Sequence, residues 1–104
     1  MGTEVADNPD EDRYEILVDG HLAGFIKYVL QGPRITLWHT EIEPGYDGRG
    51  LGSELTKVAL DDVKQRDLEL MPLCRFVAKY VRRHSDEYLD VVVPDYREKV
   101  MSGD

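Results

Sequence analysis

Cysteine occurs once in this 104-residue chain, so no internal disulfide framework can brace the fold. No apolar run approaches the roughly 20 residues of a membrane-spanning helix, and no segment reads as a signal peptide, so a cytoplasmic protein is expected. Basic residues are scarce. With 13 Lys and Arg against 21 Asp and Glu, the formal charge is −8, which argues against a nucleic-acid binder and its basic face. The deficit is uneven, because residues 1–12 hold five acids and no Lys or Arg, leaving 16 acids against the 13 bases elsewhere. Residues 1–12 therefore read as an acidic, mobile tail, and residues 13–104 as a single domain, taken as a monomer. Repeats and low-complexity stretches are missing, and the three His lack the neighbours of a metal site.

Apolar residues carry two periods. Tyr14–Val18 alternates as a strand, Asp19-Gly20 reads as a tight hairpin turn, and Leu22–Leu30 as the antiparallel partner. After a turn at Gly32-Pro33, Ile35–Ile42 reads as a third strand, with Ile35, Leu37, His39 and Glu41 on one face and Thr36, Trp38, Thr40 and Ile42 on the other. From Leu51 the period lengthens to that of a helix, whose apolar stripe is Leu51, Leu55, Val58, Ala59 and Val63. Leu68–Met71 reads as a short strand stopped by Pro72. Leu73–His84 then has helical spacing, with Phe76, Val77, Tyr80, Val81 and His84 inward. Ser85-Asp86 breaks that helix, Tyr88–Val93 reads as a last strand, and a loop or short helix follows Pro94.

Between the third strand and the first helix lies Tyr46-Asp47-Gly48-Arg49-Gly50-Leu51-Gly52-Ser53, with glycine at alternate positions. Glycine lets consecutive backbone N–H groups converge on an anion, and a helix N-terminus adds partial positive charge. Spacing sorts the ligands. A nucleotide P-loop requires Lys and then Ser or Thr after its last glycine, whereas Ser53-Glu54 follows here, so ATP and GTP are excluded. The dinucleotide fingerprint fails too, since the third glycine comes one residue early. A cofactor whose pyrophosphate is held by main-chain amides remains.

Asp47-Gly48-Arg49-Gly50-Leu51-Gly52 resembles the acyl-coenzyme A loop of the GNAT acetyltransferases, written Gln/Arg-x-x-Gly-x-Gly/Ala, with Asp47 departing at the first position. The downstream text from Met71-Pro72-Leu73-Cys74 to Arg82-Arg83-His84, with His39-Thr40-Glu41 upstream, is similar to the small single-domain GNAT-like family of N-acetyltransferase domain-containing proteins. The similarity runs over residues 14–93. It implies an α+β, GNAT-like fold with a mixed, mainly antiparallel sheet and two packed helices, reduced in size because the helices after the first strand are missing. An open cleft and a protein-borne or broad acceptor would follow. The resemblance also implies acetyl-coenzyme A as acyl donor, no metal, an amine or protein acceptor, and pantetheine amides bonded to the backbone of Ile42 and Glu43. Gly48, Arg49, Gly50, Leu51, Gly52 and Ser53 would hold the pyrophosphate. A turn capped by Ser53 is the structural alternative.

Three residues are candidates for the chemistry. Cys74 follows Pro72 at a helix opening beside Arg75, where a thiolate is favoured, and the resembled family carries a cysteine there that is proposed to meet the acetyl group. Its place on an apolar helical stripe allows a purely structural role. His39 and Glu41, two apart on one strand face, would serve as base and orienter for an ammonium group, or simply meet solvent. Tyr80 and Tyr88 are candidate proton donors to the leaving thiolate, or core tyrosines. Arg75, Lys79, Arg82 and Arg83 form a basic stripe that is either a solvated face or a contact for coenzyme phosphates or an acidic acceptor protein. The reading is an acetyl-coenzyme A-dependent N-acyltransferase acting directly or through Cys74; its alternative is a non-catalytic acyl-coenzyme A-binding module.

Overall fold

A computed structural model describes residues 2–103. Five strands make one sheet in chain order: β1 Thr3–Asn8, β2 Arg13–Val18, β3 His21–Gln31, β4 Arg34–Ile42 and β5 Glu69–Pro72. The first four pair antiparallel, and the β2–β3 turn is the expected one, with Asp19 at φ 50° and Gly20 at φ 84°. Helix α1, Leu51–Gln65, crosses over and returns the chain to β5, which runs parallel to β4. Then come α2 (Arg75–Arg83), α3 (Ser85–Tyr88), two 3-10 turns over Leu89–Val91 and Pro94–Tyr96, and α4 (Arg97–Ser102). No described helix is long and apolar enough to cross a membrane. The α+β, mainly antiparallel architecture is the one the sequence suggested.

Helix α1 buries Leu51, Leu55, Ala59, Leu60 and Val63 against Ile16, Ile26, Ile35 and Leu37 of the sheet, each buried Leu, Ile or Val contributing roughly 1.5–3 kcal/mol. Leu60 and Thr56 take the inward position expected of Val58, which is exposed. Helix α2 lies beside α1 and adds only Val77 and Val81; Phe76 is exposed and Tyr80 partly so, narrowing the expected apolar face.

Two elements differ from expectation. Residues 3–8, read as part of a mobile tail, form the edge strand β1, so the domain begins ahead of residue 13. Its few apolar residues hide it from a periodicity test, because polar contacts supply the docking. Asp7 accepts from the Tyr28 hydroxyl at 2.6 Å and meets Arg66 at 3.4 Å, while Arg66 also reaches Asp62, which accepts from Tyr14 at 2.7 Å. The anticipated final strand, Tyr88–Val93, is helical up to Val91 and reaches the sheet only at Val92 and Val93, through a bridge to Leu70 and a Val93 N–H to Leu70 carbonyl bond of 2.9 Å. Tyr88 turns inward instead and donates to Asp61 of α1 at 2.6 Å.

Candidate active site

The glycines of the loop do three different jobs. Gly48 and Gly50 have φ 73° and 74°, and a Cβ on either would meet nothing, so conformation and not space requires them. Gly50 is the N-cap of α1 in the left-handed region. No side chain caps the helix, Ser53 included, which leaves the amides of its first turn without the usual acceptor. Gly52 is different again: a Cβ there would come within 2.8 Å of the tip of the Phe76 ring, so this glycine lets that ring lie over the start of α1. The result is a cleft of about 230 Å³ lined by Ile42, Tyr46, Asp47, the whole run Gly48–Ser53, and Phe76. Arg49 lies over the Tyr46 ring at 5.5 Å, leaving its charge at the rim. Asp47 adds the opposite charge to the same wall.

Beyond Leu37 and Pro72 the pairing of β4 with β5 stops, as Pro72 has no N–H to continue it. The edge of β4 from Trp38 to Ile42 is open there, and consecutive residues turn their amides to opposite edges. Glu43 lies on the closed side: its N–H donates to Ala23 at 2.8 Å and its carbonyl accepts from Tyr46 at 3.1 Å. The expected Glu43 contact with pantetheine is thereby corrected, while Ile42 lines the cleft.

A β-bulge decides which side chains meet. Lys27 pairs with His39 but Tyr28 with Leu37, so Trp38 is the extra residue and the alternation of β4 shifts by one. Ile35 and Leu37 face the helices as expected, yet after the bulge it is Thr40 that follows them inward, not His39. Thr40 Oγ1 stands 3.3 Å from Cys74 Sγ. Cys74, the partly buried N-cap of α2, is fixed further by its N–H bond to the Leu37 carbonyl at 3.1 Å. His39 and Glu41 do form a pair, Nε2 to Oε1 at 3.2 Å, but on the outer face among Phe25, Lys27 and Trp38, half exposed. Cys74 and the His39–Glu41 pair therefore occupy opposite faces of one strand. Thr40 carries no sequence signal, since the bulge that turns it depends on pairing with β3.

Helix α2 divides the basic stripe between two more clefts. Lys79 and Arg83 line one with Ser53, Phe76, Tyr80 and His84, about 350 Å³ in volume and adjoining the loop through Ser53 and Phe76. Arg75 and Arg82, with Lys79 again, face the other side. Tyr80 stacks on His84 at 4.2 Å, and burial raises its hydroxyl pKa. His84 Nδ1 bonds the Tyr80 carbonyl at 2.9 Å, holding the ring at the helix end, and His21 is exposed. Tyr88 is ruled out as a donor to the thiolate: burial and its bond to Asp61 raise its pKa and turn it toward α1. Among the described residues no cluster of three His, Cys, Asp or Glu is placed to hold a metal ion.

Comparison with known proteins follows the same lines. Residues 13–91 match the model of the GCN5-related N-acetyl-transferase family. The mouse protein NATD1 is 34% identical over 85 residues, covering 79% of this chain and 77% of its own, and human NATD1 is 37% identical over 76 residues, covering 71% and 67%. Among solved structures, a GCN5-like protein from Staphylococcus aureus superposes with a TM-score of 0.61 at 24% identity, covering 86% of this chain and 87% of that one. The ribosomal-protein-S18-alanine N-acetyltransferase of Escherichia coli reaches 0.52 at 24%, over 56% and 38%. With the family model spanning most of the chain and its loop, strand edge and cysteine set in one region, this protein belongs to the GCN5-related N-acetyltransferase family.

Proposed function

We propose that this chain transfers an acetyl group from acetyl-coenzyme A to an amine. The observation that carries the reading is the uncapped start of α1, whose amides from Leu51 to Ser53 open on the same cleft as Gly48, Gly50 and the strand-edge residue Ile42. A diphosphate supplies the acceptors those amides lack, and the thioester arm would run along the open edge of β4 toward Thr40 and Cys74. Lys79 and Arg83, in the adjoining cleft, would take the remaining phosphate charge.

Two routes use this geometry. Through Cys74, the thiol gives up its proton, the thiolate sulfur bonds the acetyl carbon, the carbon–sulfur bond to the coenzyme breaks, and the departing coenzyme thiolate takes up that proton to leave as a thiol. The amine nitrogen then attacks that carbon, yields a proton to a base, and Cys74 departs as thiolate. Thr40 would hold the sulfur in place. On the direct route the amine attacks the coenzyme thioester itself and its proton goes to His39, oriented by Glu41, approaching from the outer face past the open edge of β4. Mass spectrometry after incubation with acetyl-coenzyme A tests the first route: an acetyl group on Cys74, lost in Cys74→Ala, is expected. If Cys74→Ala keeps full turnover, the direct route stands.

One observation favours a second reading, a non-catalytic acyl-coenzyme A-binding module. Asp47 brings a carboxylate to the cleft where the family pattern has Gln or Arg, and the sheet separates the His39–Glu41 pair from Cys74. Coenzyme-induced thermal stabilisation without thiol release, across a pool of amines, would establish that reading.

A further inference from the structure

Arg75, Lys79 and Arg82 stand four and three residues apart along one face of α2, forming a wall of a cleft of about 400 Å³. The opposite wall is the C-terminal segment, at Tyr96 and Val100. No carboxylate among the described residues lines this cleft. Among the described residues none of the three cations makes an ion pair, and Arg82 reaches the Val100 carbonyl at 3.5 Å. Like charges at these helical spacings repel. Arg75 is worse placed still, because it occupies the first helical position, where the dipole is positive, and the first turn holds no acid to offset it. In a chain with formal charge −8, three neighbouring cations stand without a paired carboxylate among the described residues.

A ligand with negative charge removes that repulsion. The coenzyme is not the occupant these positions favour, since Arg75 and Arg82 line neither the glycine-loop cleft nor the one adjoining it. The cleft begins at Pro72 and Leu73, the two residues before Cys74. Its volume suits a small molecule and not a folded partner. We propose that the cleft between α2 and the C-terminal segment binds the anionic group of the acyl acceptor, so that the acceptor is a small amine bearing a phosphate or a carboxylate. This rests on the acyl-transfer reading above.

The test uses O-phosphoethanolamine, β-alanine and the non-anionic control ethanolamine on the full chain. Binding is measured by calorimetry without coenzyme, and acetyl transfer separately by thiol release. Both anionic amines, or whichever of the two carries the right group, should bind, and ethanolamine should not. In Arg75→Gln/Arg82→Gln the affinity should fall by about tenfold or more, as for loss of charged hydrogen bonds, and KM should rise in step. Arg75→Lys/Arg82→Lys should retain most of the affinity, which guards against a folding defect. A stronger response to phosphoethanolamine assigns phosphate, and the reverse assigns carboxylate. Equal binding of all three amines, or no difference between wild type and the Gln variant, overturns the inference. So does a loss of acetyl-coenzyme A affinity in that variant, since the cations would then serve the coenzyme. If the chain binds the coenzyme yet ignores anionic amines, only this inference fails; if anionic amines bind through Arg75 and Arg82 but no thiol is released with any amine, only the acyl-transfer reading fails.

Discussion

Gly50 and Gly52 look alike in the sequence and are held for opposite reasons. At Gly50 the left-handed backbone is the constraint, so Gly50→Ala should cost about 1–2 kcal/mol, lower the melting temperature by roughly 4–8 °C per kcal/mol, and rotate the first amides of α1 off the cleft. At Gly52 the neighbour is the tip of the exposed Phe76 ring, which can move aside. Gly52→Ala should therefore leave melting nearly unchanged while altering acetyl-coenzyme A affinity; thermal melts of both variants, with and without coenzyme, check the pair. Thr40 offers a third contrast. Thr40→Val removes the Oγ1 partner of Cys74 Sγ and should change the rate of Cys74 alkylation, whereas Thr40→Ser should preserve it.

Strand β1 has few apolar residues and is held through a chain of polar contacts, Tyr28–Asp7–Arg66–Asp62–Tyr14. Removing residues 1–8 should lower stability by about 1 kcal/mol or more, the order of one net hydrogen bond, where a loose tail would give no change; chemical denaturation reads the difference. Burial, then the hydrogen bond to a carboxylate, raises the pKa of Tyr14, Tyr28 and Tyr88 alike. A raised folded pKa contributes stability that is complete below the unfolded tyrosine value of about 10 and is lost as pH climbs beyond it. Denaturation midpoints should fall above that pH, and Tyr88→Phe should flatten the fall. Asp61 has the opposite sign: burial opposes its ionisation, but the Tyr88 hydroxyl and Lys57 outweigh it and lower its pKa. Its contribution is present above the unfolded carboxylate value and disappears as pH drops through the folded one.

The charge of the molecule is divided by its fold. Eight net negative charges coexist with a helix α2 that carries four cations in nine residues, Lys79 and Arg83 beside the glycine loop and Arg75, Arg82 and again Lys79 facing α4. Acetyl-coenzyme A affinity should consequently weaken as salt rises, because exposed charges are screened within about 8–10 Å at physiological ionic strength. Lys79→Gln/Arg83→Gln should lower that affinity and reduce the salt slope, measured by calorimetry across a salt series. A slope unchanged by the substitution would mean that the main-chain amides alone bind the phosphates.

Local spacing alone identified the hairpin, the crossover helix, the glycine loop and the position of Cys74 at a helix opening, because each is written in neighbouring residues: a turn pair, a 3.6 period, alternate glycines, a proline. Even the His39–Glu41 pair was legible, as residues two apart on a strand share a face. Which face that is was not legible. The bulge at Trp38 arises from the pairing of β4 with β3, residues distant in sequence, and it is this that brings Thr40 to Cys74 and leaves His39 outside. The same holds for β1, whose Asp7 is held by the Tyr28 hydroxyl of β3 and by Arg66 at the end of α1, and for Glu43, whose amide is taken by Ala23. Periodicity reports how a segment divides its own side chains between two faces; only the packed sheet decides what each face meets.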